Sequence, residues 1–130
     1  ITNKYGASIY YAHEIGTDQV NSSGTTAIAA FIRSGDFDID DGELFMSMRR
    51  FMPDYKFLVG DSKVTLFISD FPSDIQTGSP LGPFTITSTT EKVDTRARGR
   101  LLSLKVENDA AGQTWRYGSF RMDAQPDGRR

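Results

Sequence analysis

Between residues 63 and 69 apolar and polar side chains take turns. Val64, Leu66 and Ile68 fall on one side of an extended chain, Lys63, Thr65 and Ser69 on the other, and Phe67 alone is out of phase. Successive side chains of a strand point to opposite faces, so this alternation dictates a half-buried β-strand and excludes an amphipathic helix over the same segment. Weaker versions recur at residues 8–13, 27–33, 44–51, 84–90, 98–107 and 113–122. Turn chemistry separates the runs at Asp40-Asp41-Gly42, Gly60-Asp61, Phe71-Pro72-Ser73, Gly78-Ser79-Pro80 and Ala111-Gly112. Only residues 26–32 tolerate a helix, and their Ile28, Phe31 and Ile32 suit a strand equally well. About seven short strands punctuated this way predict an all-β fold, an antiparallel β-sandwich or barrel-like domain.

Two glycines interrupt otherwise regular strands. From Arg96 the even positions read Arg96, Arg98, Arg100, Leu102, Leu104 and Val106, which would place three arginines on the face of the core leucines. Either the strand outruns the core and its arginine end projects, or a bulge at Gly99 moves Arg96 and Arg98 to the other face. Trp115 and Tyr117 likewise differ in parity from Phe120 and Met122, and a bulge at Gly118 would bring all four to one side. Residues 71–83, with three prolines and two glycines, read as the longest irregular connection. The acidic stretch near Gly35–Gly42 suggests a division into an N-terminal hairpin segment, 1–35, and a β-sandwich domain, 36–130. The start at Ile1, without Met, reads as mid-sequence, so a fragment or the C-terminal part of a longer chain is expected.

At 130 residues the chain buries roughly two-thirds of its unfolded surface, enough for a core without staples. Cysteine is absent, which excludes disulfides and zinc–thiolate sites. No apolar run approaches the roughly 18 residues of a membrane-spanning helix. The net charge of −2 argues against nucleic acid as a main partner, so no sequence-specific nucleic acid is expected. Its distribution is uneven: residues 1–95 carry seven Lys/Arg against thirteen Asp/Glu (−6), and residues 96–130 carry eight against four (+4). Either both stretches are simply solvated, or the basic end of one copy meets an acidic part of another.

Candidate chemistry is sparse. Counted from Asp36, a helix-flanked calcium loop needs Gly at the sixth position and Glu at the twelfth. Here Gly42 is seventh and Ser47 twelfth, so the run reads as a turn with solvated carboxylates; Asp36, Asp38 and Asp40 would be the ligands of a metal site. His13, the sole histidine, lacks a second His four residues on and has no Gly-x-Ser-x-Gly elbow for company, which favours a structural role. No phosphate loop is present, and the many carboxylates single out no catalytic pair. The reading is a non-enzymatic protein without cofactor or metal. Its strongest polar feature is Arg96, Arg98 and Arg100, whose guanidinium forks suit carboxylates at a protein interface; phosphate binding and plain exposure are the competing uses. An alternative function is a carbohydrate-binding β-sandwich for host-surface glycans, with Trp115 and Tyr117, helped by Tyr10 and Tyr11, as stacking rings.

In order along the chain stand Pro53-Asp54-Tyr55-Lys56, Asp70-Phe71-Pro72, Val93-Asp94-Thr95-Arg96-Ala97-Arg98-Gly99-Arg100, Trp115-Arg116-Tyr117-Gly118 and Pro126-Asp127-Gly128-Arg129-Arg130. Together they resemble the C-terminal region of structural tail proteins, of tubular or nozzle type, from short-tailed bacteriophages. The resemblance extends over roughly residues 8–130 and is densest after Pro53. It implies a β-rich virion tail subunit without enzymatic activity, made in the host bacterial cytoplasm. Copies would form a ring about the tail axis, contacting other tail proteins, with DNA passing through during ejection. It also implies a longer chain with a propeller-like upstream part. The acidic turn (Asp36, Asp38, Asp40) and the arginine strand are then candidate subunit contacts, though the resemblance assigns no role to single residues.

Overall fold

The computed structural model describes residues 18–21, 24–72 and 79–129. Within them nine strands form three antiparallel sheets and no α-helix appears. Strands β1 (Asp18–Asn21) and β2 (Gly24–Ala27) make a separate hairpin. A four-stranded sheet runs in the order β3 (Ala30–Arg33), β8 (Leu101–Asn108), β5 (Ser62–Ser69), β6 (Ser79–Ile86). A three-stranded sheet runs β7 (Val93–Gly99), β4 (Met46–Val59), β9 (Thr114–Pro126). Between the two larger sheets lies one core, which makes the fold a β-sandwich and not a closed barrel.

The core is built from the alternation. Val64 and Leu66 of β5, Leu102, Leu104 and Val106 of β8, and Ile86 of β6 face Met46, Met48 and Phe51 of β4 and Ala97 of β7. Phe51, fully buried, is the hub: its ring stacks on Phe120 at 5.5 Å and meets Phe84 edge-on at 5.6 Å. Burial of such a ring stabilises a fold by roughly 1.5–3 kcal/mol. The out-of-phase Phe67 lies on the outer face, where the Arg33 guanidinium covers it 4.0 Å from the ring centre.

Five expectations need correction. The single strand expected at 98–107 is two: β7 ends at Gly99, β8 begins at Leu101, and the chain changes sheet at Arg100 between them. The inward positions therefore switch from odd (Ala97, Gly99) to even (Leu102, Leu104, Val106), which resolves the parity conflict of the arginines. β4 continues well past Phe51. Proline at 53 is tolerated because β7 pairs only as far as Phe51, so no β7 ladder needs the missing amide hydrogen.

Residues 84–90 are not one strand either. β6 stops at Ile86, and the Thr87 amide hydrogen bonds to the Thr90 hydroxyl at 3.0 Å, closing a local turn that overrides the β preference of threonine. Ser79–Ile86, expected within an irregular loop in its first half, is an edge strand, the position in which Pro80 and Pro83 do least harm. Finally, Ala30–Arg33 pairs with β8, so it belongs to the sandwich and not to a separate segment 1–35. The strand expected at 8–13 lies outside the described residues.

The bulge expected at Gly118 is present. Pro53 pairs with Phe120 and Tyr55 with Tyr117, so Gly118 and Ser119 together oppose Asp54. Trp115, Tyr117, Phe120 and Met122 all pack on the core as a result. A Cβ at Gly118 would sit 2.6 Å from the Asp54 carbonyl oxygen, so the close approach requires glycine.

Candidate assembly surface

On the outer face of the three-stranded sheet both β4 and β7 leave regular pairing at the same level. Against β9, β4 carries one extra residue, Arg49, between Met48 and Arg50. Against Arg49, β7 carries two residues, Thr95 and Arg96, between Asp94 and Ala97. The first irregularity lets Met48 and Phe51, three apart in sequence, both point inward. Paired irregularities also splay the strands outward. The result is an open groove of about 750 Å³ with Arg49, Arg96 and Arg98 along it and Met48 and Ala97 beneath. Neither Arg49 nor Arg96 has an ion-pair partner among the described residues, and both are exposed. Beside them Arg50 reaches between Asp94 of β7 and Asp123 of β9, with Nε at 3.8 and 3.6 Å from the two carboxylates.

The three arginines singled out in the sequence do not act together. Arg96 and Arg98 point outward from β7. Arg98 pairs with Asp127 at 2.6 Å, donates a second bond to the Asp127 carbonyl at 3.3 Å, and lies 4.2 Å over the Phe45 ring. Arg100, at the corner between the sheets, approaches the same ring at 5.0 Å and donates to the Arg129 carbonyl at 3.3 Å. Phe45 itself exchanges backbone hydrogen bonds with the C-terminal segment: Asp127 N to Phe45 O at 2.7 Å and Phe45 N to Gly128 O at 2.8 Å. Arg98 and Arg100 thus fasten residues 127–129 of this same molecule. Arg96 is the member of the three with no such contact among the described residues, and Arg49 lines the same groove. No sequence periodicity pairs Arg49 with Arg96; only the register of β4 against β7 does.

Acidic residues 36–43 form the turn expected of them. Phe37 exchanges backbone hydrogen bonds with Leu102 at 2.9 and 3.0 Å, which docks the start of the turn on β8. Asp40, Asp41 and Gly42 then take three consecutive left-handed conformations, with φ of 58°, 53° and 73°. Asp and Gly are the residues that accept this backbone at least cost. Asp36, Asp38 and Asp40 are all exposed, and no cluster able to hold a metal ion occurs among the described residues. Asp38 and Asp41 share a small recess of about 150 Å³ with Asp70 and Arg100. The acidic turn and the arginine corner are therefore neighbours within one copy.

Trp115 and Tyr117, the stacking rings of the glycan alternative, both turn towards the core. The Trp115 indole donates to Asn108 Oδ1 at 3.0 Å, and Asn108 in turn donates to the Ile28 carbonyl at 3.0 Å. Tyr117 meets Tyr55 edge-on at 5.1 Å, and its hydroxyl is buried without a hydrogen-bond partner. Burial holds the Tyr117 hydroxyl protonated well above its ordinary range, with the nearby Tyr55 and Asp54 acting in the same direction. Burial raises Tyr55 as well, against an opposing hydrogen bond from Ser62. The rings' alternation with Arg116 and the Gly118 bulge set them on the inner face; a stacking platform needs the outer one. Tyr10, Tyr11 and His13 lie outside the described residues.

The pieces that carry the phage-tail resemblance converge. Tyr55 of the Pro53–Lys56 piece on β4 pairs with Tyr117 of the Trp115–Gly118 piece on β9; Val93–Gly99 is β7; Asp127, just after β9, is bonded to Arg98. Phe71 lies 5.9 Å from the Arg100 guanidinium at the adjoining corner. Pieces more than seventy residues apart thus occupy one sheet and its end. No family model matches this chain, and no curated protein matches its sequence.

Proposed function

We propose that this chain is a non-enzymatic structural component of a short-tailed bacteriophage tail, of the tube or nozzle type. It acts by assembling with copies of itself in a ring and with other tail proteins, in the virion, around the path of the ejected DNA. The observation that carries the reading is the convergence of the resembling pieces on the β7–β4–β9 sheet. There they build an arginine-lined outer groove and lock down residues 127–129. A protein working by contact needs a rigid face with charges left for a partner, and the groove supplies both: its floor is core, and Arg49 and Arg96 are unpaired among the described residues.

Light scattering coupled to size-exclusion chromatography on the intact protein tests the reading. A discrete oligomer is expected at micromolar concentration. A strict monomer at every concentration would sink it.

A further inference from the structure

We propose that the groove between the irregularities of β4 and β7 seats the acidic turn, residues 36–43, of a second copy of this chain. The inference rests on the assembly reading and names its contact. Arg49 and Arg96 are exposed cations without ion-pair partners among the described residues. The carboxylates of Asp36, Asp38, Asp40 and Asp41 are exposed and equally without ion-pair partners among them. Guanidinium forks bind carboxylates bidentately, and the two charge sets are opposite in sign.

Shape agrees with charge. The turn is tight, built on three successive left-handed residues with its aspartates exposed, whereas the groove is open and concave. Its floor, Met48 and Ala97, is 1% and 3% exposed, so the site is held by the packed core and does not have to be ordered by its occupant. Groove and turn are different surfaces, so each copy gives one and receives one. Contacts of that kind propagate head to tail and close into a ring where the rotation permits.

Charge reversal with mixing is the test. Two forms of the intact protein are made, one with Arg49→Glu and Arg96→Glu, the other with Asp36→Lys and Asp38→Lys. Asp40 and Asp41 stay unchanged, since their backbone disfavours lysine. Sedimentation velocity at low salt should show association of each form alone weakened by at least about tenfold, because like charges then face each other. An equimolar mixture should regain assembly, since reversed groove meets reversed turn, and added salt should weaken it again. Misfolding would not be repaired by mixing.

If the unaltered protein assembles and the reversed forms assemble equally well, or if mixing restores nothing, this contact is wrong while the assembly reading stands. If the unaltered protein never assembles, both fall. A labelled DNA duplex titrated in parallel gives a further way to fail. Binding that Arg49→Glu with Arg96→Glu abolishes, self-association being unchanged, would assign the groove to phosphate instead.

Discussion

Single side chains decide this fold where backbones come close or polar atoms are shut away from water. A Cβ on Gly99 would fall 2.1 Å from Ile68 Cγ2, so Gly99→Ala has to push the Ile68 side chain aside, displace β5 or bend the corner into β8. A loss of about 1–3 kcal/mol in urea unfolding is expected, the usual cost of overpacking. Tyr117 behaves in the opposite sense, since its buried hydroxyl satisfies nothing. Tyr117→Phe should leave the thermal midpoint unchanged or raise it. A drop equivalent to more than about 1 kcal/mol would show the hydroxyl to be bonded after all. The same residue gives a pH prediction. Its folded-state pKa lies above the ordinary 10.0, so its contribution is complete below pH 10.0 and disappears as pH rises beyond it, where the unfolded chain ionises first. Alkaline unfolding of the Tyr117→Phe form should therefore begin at higher pH than that of the unaltered chain.

Among the elements, β7 with its corner and the C-terminal segment form one unit. The Arg98–Asp127 pair is about half exposed on both sides, so its direct contribution to stability is small, roughly 0–1 kcal/mol. What it does is hold residues 127–129 against Phe45. Arg98→Ala should accordingly shift global stability little, while hydrogen exchange at the Phe45 and Asp127 amides accelerates by about tenfold or more. Unchanged protection at those two amides would show that the backbone pairing alone suffices. The element boundaries were legible in the sequence where alternation was clean, as in β5. They were obscured at Pro53, at Thr87–Thr90 and at Arg100. Two of the causes are tertiary, a missing neighbour strand and a change of sheet; the third is a local hydroxyl bond.

At the scale of the whole molecule, the chain passes between the two larger sheets after β3, β4, β6, β7 and β8; of the strands in those two sheets, only β5 and β6 follow each other within one. Neither sheet can then keep its inner face once the other is lost, so the sandwich should unfold as one cooperative unit. Trp115 fluorescence and far-ultraviolet circular dichroism should report coincident transitions, and Phe51→Ala should lower both together by about 3–5 kcal/mol. Separated transitions would mean that the sheets are independent. The sequence by itself determined that the chain is β-rich and which positions on β5, β8 and β9 face inward, because side-chain alternation is a local property of an extended backbone. It also determined that the acidic run turns. Only the tertiary structure decided which arginines are engaged within the chain, since that depends on Asp127 and Phe45 reaching Arg98 from distant parts of it. It likewise decided that Arg49 and Arg96 share a groove, because register between strands is set by packing and leaves no mark on either strand alone.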